Sequence, residues 1–158
     1  MQTIEQKIGA LLLQEGRTIS TAESCTGGRL AALLNKWPGS SEWYMGSVVA
    51  YSNDVKMRVL GVKETTLKTV GAVSEETVSE MAEGVRSLIR TDYAIATSGI
   101  AGPGGGTKEK PVGTVWMAWA LPDRTVTRCF HFEGTRDEIT ALASVTALEE
   151  LWNILSEK

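Results

Sequence analysis

The chain has 158 residues, 42% of them hydrophobic, and a formal net charge of −3, which is the size of one domain with a real core. Its Lys and Arg residues are scattered rather than gathered into a basic stretch, which argues against a nucleic-acid partner. Two distant cysteines, Cys25 and Cys129, and one histidine, His131, make neither a disulfide framework nor a zinc-ligand set, so no metal is expected.

No apolar run is long enough for a membrane span, and Met1 to Lys7 has neither a basic start nor a cleavable apolar core, so a cytoplasmic protein is expected. Ile4, Ile8, Leu11 and Leu12 recur at helical spacing, and residues 3–15 read as an amphipathic helix stopped by Gly16. Arg17 to Thr21 is β-branched and alternating, the pattern of a short strand. Leu30, Ala31, Leu33 and Leu34 return to helical spacing, predicting a helix over about 27–36 that stops before the turn-forming Pro38-Gly39-Ser40-Ser41.

Trp43 to Tyr51 reads as a second strand despite Gly46. The capping residues Ser52, Asn53 and Asp54 precede a short helix, Val55 to Leu60, closed by Gly61, which puts Lys56 in the first turn leaving the strand end. Thr65 to Lys68 reads as a further helical turn, and Ser74-Glu75-Glu76-Thr77 opens a helix running to about Arg90 on an apolar face of Val78, Met81, Val85 and Leu88. Asp92 to Ser98 is a third strand, leading into a loop, mobile or tightly folded, that holds Gly99, Gly102, Gly104, Gly105 and Gly106. Gly113 to Leu121 and Thr125 to Phe132 form a hairpin about Pro122-Asp123, and Arg136 to about Leu155 is a long closing helix. Alternating elements followed by a late hairpin predict an α/β fold, a three-layer α/β/α sandwich with a mixed sheet, as one domain over residues 1–158. The pocket of such a fold lies at the C-terminal ends of its strands.

Three stretches at those ends carry reactive or anion-binding groups: Thr21-Ala22-Glu23-Ser24-Cys25-Thr26-Gly27-Gly28, Tyr51 to Lys56, and Ser98 with the glycines after it. Ser24 falls on a strand-to-helix turn, where the following amides can face an oxyanion or a phosphate and where Gly27 and Gly28 permit close approach. Capping of the helix by Ser24 or Thr26 is the alternative use of the same hydroxyls. A serine hydroxyl needs a group to take its proton, and with no Ser-His-Asp set available Lys56 is the base to consider, provided desolvation keeps its amine partly neutral. Tyr51 could orient or relay that proton. A solvated lysine and a half-buried strand tyrosine are the ordinary alternatives.

Residues 21–28, Pro38-Gly39-Ser40-Ser41, Tyr51-Ser52-Asn53 with Lys56, Gly71-Ala72-Val73-Ser74, Ser98-Gly99-Ile100-Ala101-Gly102-Pro103 and Lys110 to Val115 together resemble the CinA C-terminal domain family, the PncC-type nicotinamide-nucleotide amidases, in stand-alone form. The resemblance implies hydrolysis of the carboxamide of nicotinamide mononucleotide to nicotinate mononucleotide and ammonia, with no cofactor. It implies Ser24 as nucleophile, Lys56 as its base and Tyr51 as partner of the pair. Thr26, Gly27, Gly28, Asn53, Ser98, Gly99, Gly102, Gly104, Gly105 and Arg136 are the expected substrate contacts, with the oxyanion held by amides of residues 25–28 or 99–102. Ser98 stands where the family often has Thr. A catalytically silent nucleotide- or protein-binding paralogue, and an amidase for another carboxamide, are the rival readings. The five tryptophans, among them Trp37, Trp43 and Trp152, suggest a homo-oligomer, most simply a dimer.

Overall fold

A computed structural model describes residues 1–157. The chain runs α1 (Ile4–Glu15), β1 (Ile19–Glu23), α2 (Arg29–Leu34), a 3₁₀ turn (Ser40–Glu42), β2 (Tyr44–Val49), α3 (Asn53–Leu60), α4 (Glu64–Val70), α5 (Glu75–Ile89), β3 (Tyr93–Gly99), β4 (Thr114–Ala120), β5 (Thr125–His131) and α6 (Arg136–Ser156). The five strands form one mixed sheet in the order β2-β1-β3-β4-β5. β1 is parallel to both β2 and β3, and the β4–β5 hairpin joins β3 antiparallel. Helices cover both faces, as the alternating sequence pattern predicts.

The two faces differ in side-chain size. Along β3 and β4 the chain alternates large residues with small ones: Tyr93, Ile95, Val115, Met117 and Trp119 point into the core shared with α1, α2 and α6. Ala94, Ala96, Ala118 and Ala120 face the other way, with Ala22, toward α5 and the end of α3. A sheet lined by alanines lets a helix approach closely, and α5 does so with its Val78, Met81, Ala82 and Val85 fully buried.

Local chemistry explains the element boundaries. Thr3 and Gln6 close a capping box at the start of α1, and Gly16, left-handed at φ 64°, ends it. Thr135 and Glu138 make the same box for α6. The first strand starts later than the alternation predicts, because Thr18 is tied instead to Asp92, whose carboxylate accepts from the Thr18 amide at 2.9 Å. β1 is buried at every position rather than at alternate ones, since it lies between two parallel neighbours in the middle of the sheet. The second helix is shorter than the predicted 27–36, because Gly27 (φ 57°) and Gly28 (φ 100°) are left-handed and helical geometry begins only at Arg29. Asn53 lies inside α3 rather than before it, and Ser52 is the cap, accepting from the Val55 amide at 3.2 Å. Residues 100–113 contain no helix or strand. No helix among the described residues is long and apolar enough to cross a membrane.

Candidate active site

The C-terminal ends of β1, β2 and β3 surround a cavity of about 320 Å³. Ser24, Tyr51, Asn53, Lys56, Ser98, Gly99, Gly102, Gly104, Gly105 and Arg136 line it, so ten of the expected site residues converge from four segments of chain. Cys25, Ala72, Val73, Ile100 and Ala101 complete the wall. All but Cys25 of these belong to stretches quoted for the resemblance outside the Ser24 turn, yet their apolar side chains carry no chemical signal of their own.

Ser24 follows β1 directly and its amide donates to the Thr97 carbonyl at 3.1 Å, which pins the turn to β3. Its Oγ accepts a hydrogen bond from Lys56 Nζ at 3.1 Å. Lys56 leaves the end of β2 on α3 and is only 1% exposed, with its second bond to the Tyr51 carbonyl at 3.1 Å. Burial disfavours the charged amine and holds its pKa below the ordinary lysine value of 10.5; the only opposing influence, a weaker one, comes from Cys25. The geometry therefore brings a serine hydroxyl into contact with an amine whose charged form is disfavoured by burial.

Tyr51 enters this arrangement differently from expectation. Its main-chain carbonyl, not its phenol, meets Lys56, while the exposed phenol accepts from Arg136 Nη2 at 2.9 Å. Arg136 Nη1 also donates to the Gly102 carbonyl at 2.8 Å, so one guanidinium ties the α3 approach, the glycine loop and the start of α6 together at the cavity mouth. Ser98, 1% exposed, directs its hydroxyl to the Ala72 carbonyl at 2.8 Å and thereby holds the segment before α5 against the sheet.

Thr26, Gly27 and Gly28 are not among the lining residues, and the amides of this turn are not all free for a substrate. Thr26 is fully buried and donates to Glu23 Oε1 at 2.6 Å. The Glu23 carboxylate, also fully buried, accepts from the amides of Gly28, Leu30 and Ala31, and the Gly27 amide donates to the Ser24 carbonyl. Neither Ser24 nor Thr26 caps α2. Across the cavity, the Ile100 amide donates to Thr114. Among the described residues that line the cavity, this leaves the amide of Cys25 on one side and those of Ala101, Gly102, Gly104 and Gly105 on the other without a protein oxygen to donate to. In the sequence Glu23 is one residue of the motif, and nothing in its strand setting signals this reach to the next helix.

Cys25 also touches the cavity, but burial, chiefly, pushes its thiol up to about 12. A thiol so held stays protonated at neutral pH and is a poor nucleophile. His131 is exposed at the end of β5, away from these groups. No group of three or more His, Cys, Asp and Glu residues among the described residues could hold a metal ion.

The profile of the CinA C-terminal domain matches residues 1–155. The nicotinamide-nucleotide amidohydrolase PncC of Escherichia coli K12 is 46% identical over 153 residues, covering 96% of this chain and 93% of that protein. A CinA-like protein of Endomicrobium trichonymphae is 52% identical over 149 residues, which are 94% of this chain but 35% of that protein. The chain thus spans about a third of the length of the CinA-like relatives it matches. Among solved structures, the competence damage-inducible protein A (ComA) of Klebsiella pneumoniae superimposes with a TM-score of 0.94 at 40% identity, over 97% of this chain and 95% of that one.

Proposed function

The chain belongs to the CinA C-terminal domain family, and from that premise we propose that it is a nicotinamide-nucleotide amidase, a single domain in which Ser24 and Lys56 hydrolyse the carboxamide of nicotinamide mononucleotide. The observation that carries the reading is the 3.1 Å contact between Lys56 Nζ and Ser24 Oγ at the wall of an open cavity, with the amine buried. The similarity to PncC, a protein named for this activity and covered nearly end to end, supports the substrate.

In the proposed reaction the neutral Lys56 amine takes the Ser24 proton as Oγ attacks the carboxamide carbon. The oxyanion is held by an amide of the cavity wall, that of Cys25 or that of Ala101. Collapse of the tetrahedral intermediate breaks the C–N bond, Lys56 gives its proton to the departing nitrogen, and ammonia leaves an acyl-serine. Water then attacks the ester, Lys56 receives one of its protons, and return of that proton to Oγ frees the carboxylate product and restores the hydroxyl. The Tyr51 carbonyl fixes the amine during both half-reactions, since Lys56 can donate to it while its lone pair faces Ser24. The phosphate would rest on the amides of Gly102, Gly104 and Gly105 beside Arg136, with Asn53 and the Ser98 strand end bordering the base.

The test is ammonia release from nicotinamide mononucleotide by the purified chain. Ser24→Ala and Lys56→Ala are each expected to lower kcat by at least about a thousandfold, as loss of a nucleophile or its base does, with the circular dichroism of the parent. Full turnover by Ser24→Ala removes the mechanism. Saturable nucleotide binding without turnover in the parent selects the silent paralogue, and turnover of another carboxamide alone replaces the substrate.

A further inference from the structure

Glu23 is the most heavily bonded side chain next to the site, and the proposed chemistry does not use it. It is fully buried, one residue before the nucleophile, and its two oxygens accept five hydrogen bonds. Oε1 takes the Thr26 hydroxyl at 2.6 Å, the Leu30 amide at 2.9 Å and the Gly28 amide at 3.2 Å. Oε2 takes the Ala31 amide at 3.0 Å and the Thr21 hydroxyl at 3.4 Å. The two oxygens of a carboxylate offer about four lone-pair positions, so these five donors fill them and share one.

The bonds have a mechanical consequence. The Gly27 and Gly28 backbone, both left-handed, joins β1 to a helix of six residues that has no side-chain cap of its own. Such a junction is soft, since glycines have many accessible conformations and short helices are marginal alone. Glu23 closes the loop between the strand end and the first turn of α2 with bonds on both sides of Ser24 and Cys25, while Thr26 links it onward to Thr97 Oγ1 at 2.9 Å on β3. By the two-residue alternation of a strand, Glu23 faces α2 with Thr21, and Ser24 faces α3, where Lys56 waits. The carboxylate therefore grips the turn from behind. Its oxygens bond the α2 amides, and neither bonds Lys56, whose partners are Ser24 and the Tyr51 carbonyl.

We propose that Glu23 is the positioning residue of the nucleophile, holding the Ser24 turn so that Oγ stays in contact with Lys56. This rests on the reading of Ser24 and Lys56 above, but not on the identity of the substrate. The experiment therefore uses two reporters. One is turnover of nicotinamide mononucleotide; the other is the rate at which a small phosphonyl fluoride labels Ser24, where Oγ bonds to phosphorus, fluoride leaves with its electron pair and the hydroxyl proton passes to Lys56. Glu23→Gln keeps the shape but replaces one acceptor oxygen with an NH₂ that opposes the amide donors.

The expected result is a folded variant whose labelling rate and kcat each fall by roughly tenfold to a hundredfold with KM within about twofold, the pattern of a displaced reacting group. The pH midpoint of labelling stays in place, because the carboxylate bonds the α2 side of the turn and makes no bond to the amine. Labelling at the parent rate overturns the proposal, and so does a shifted midpoint, which would make Glu23 an electrostatic rather than a positioning group. Should Glu23→Gln fail to fold, Thr26→Val, which removes the 2.6 Å bond alone with its Thr97 contact, must slow labelling several-fold; an unchanged rate in that variant is equally fatal. A parent that labels at Ser24 yet releases no ammonia refutes the substrate and leaves the Glu23 comparison standing, whereas a parent that does neither overturns both.

Discussion

Ser24 and Cys25 stand side by side on one turn, and their surroundings assign them opposite chemistry. The serine oxygen meets a desolvated amine, whereas burial keeps the neighbouring sulfur protonated, with its pKa pushed up to about 12. Iodoacetamide at pH 8 is accordingly expected to leave Cys25 unmodified and turnover intact, as read by mass spectrometry alongside the ammonia assay. Rapid alkylation of Cys25 with parallel loss of activity would transfer the nucleophile to the sulfur. At this scale the sequence was informative where a residue's type dictates its use: a hydroxyl on a strand-to-helix turn and a lysine at the next helix start are legible from spacing and resemblance. Tyr51 was not, because its part beside Lys56 is played by the main chain, which every residue possesses. Glu23 was passed over because an acid in a strand gives no hint that it will reach forward to the amides of residues 28, 30 and 31.

Elements were easier to read than their junctions. The alternation of Tyr93 to Ala96 and of Val115 to Ala120 announces strands, and the caps at Ser52 and Ser74 announce helices. What no periodicity reveals is how near two helices pass. Gly84 sits in the middle of α5, where a glycine costs helix stability, and its reason is spatial: a Cβ there would lie 2.0 Å from the Leu60 carbonyl oxygen at the end of α3. Since α3 carries Lys56, Gly84→Ala must push apart the helix that holds this lysine and the helix that covers the alanine face. Chemical denaturation should report a loss of about 1–3 kcal/mol or more despite the better helix propensity of alanine. A stabilised variant would mean that α5 and α3 are not in contact as described.

For the molecule as a whole, the buried amine is a liability to folding. Its folded pKa is depressed, so between that value and 10.5 the unfolded chain binds more protons at Lys56 than the native one. Stability from this group therefore rises with pH across that window, and its cost is greatest below the folded value, where the native state must bury the charge. Lys56→Met, which keeps the bulk and removes the amine, is expected to abolish turnover yet raise Tm at pH 7, by roughly 2–4 °C for each kcal/mol recovered. The gain should shrink as the pH of the melt approaches 10.5. A lower Tm for the variant at pH 7 would show that the lysine's two hydrogen bonds outweigh its desolvation.

The clasp at the cavity mouth bears on biosynthesis. Arg136 opens the 21-residue α6, whose Ile139, Ala143, Ala147, Leu148 and Leu151 fill the core beneath β3 and β4. A nascent chain emerging from the ribosome has already exposed its serine and lysine when that helix is still untranslated, but it has neither the guanidinium that joins the rim nor the apolar wedge that seats the sheet. Competence should thus arrive abruptly with the last segment, and fragments released early should be inert rather than partially active.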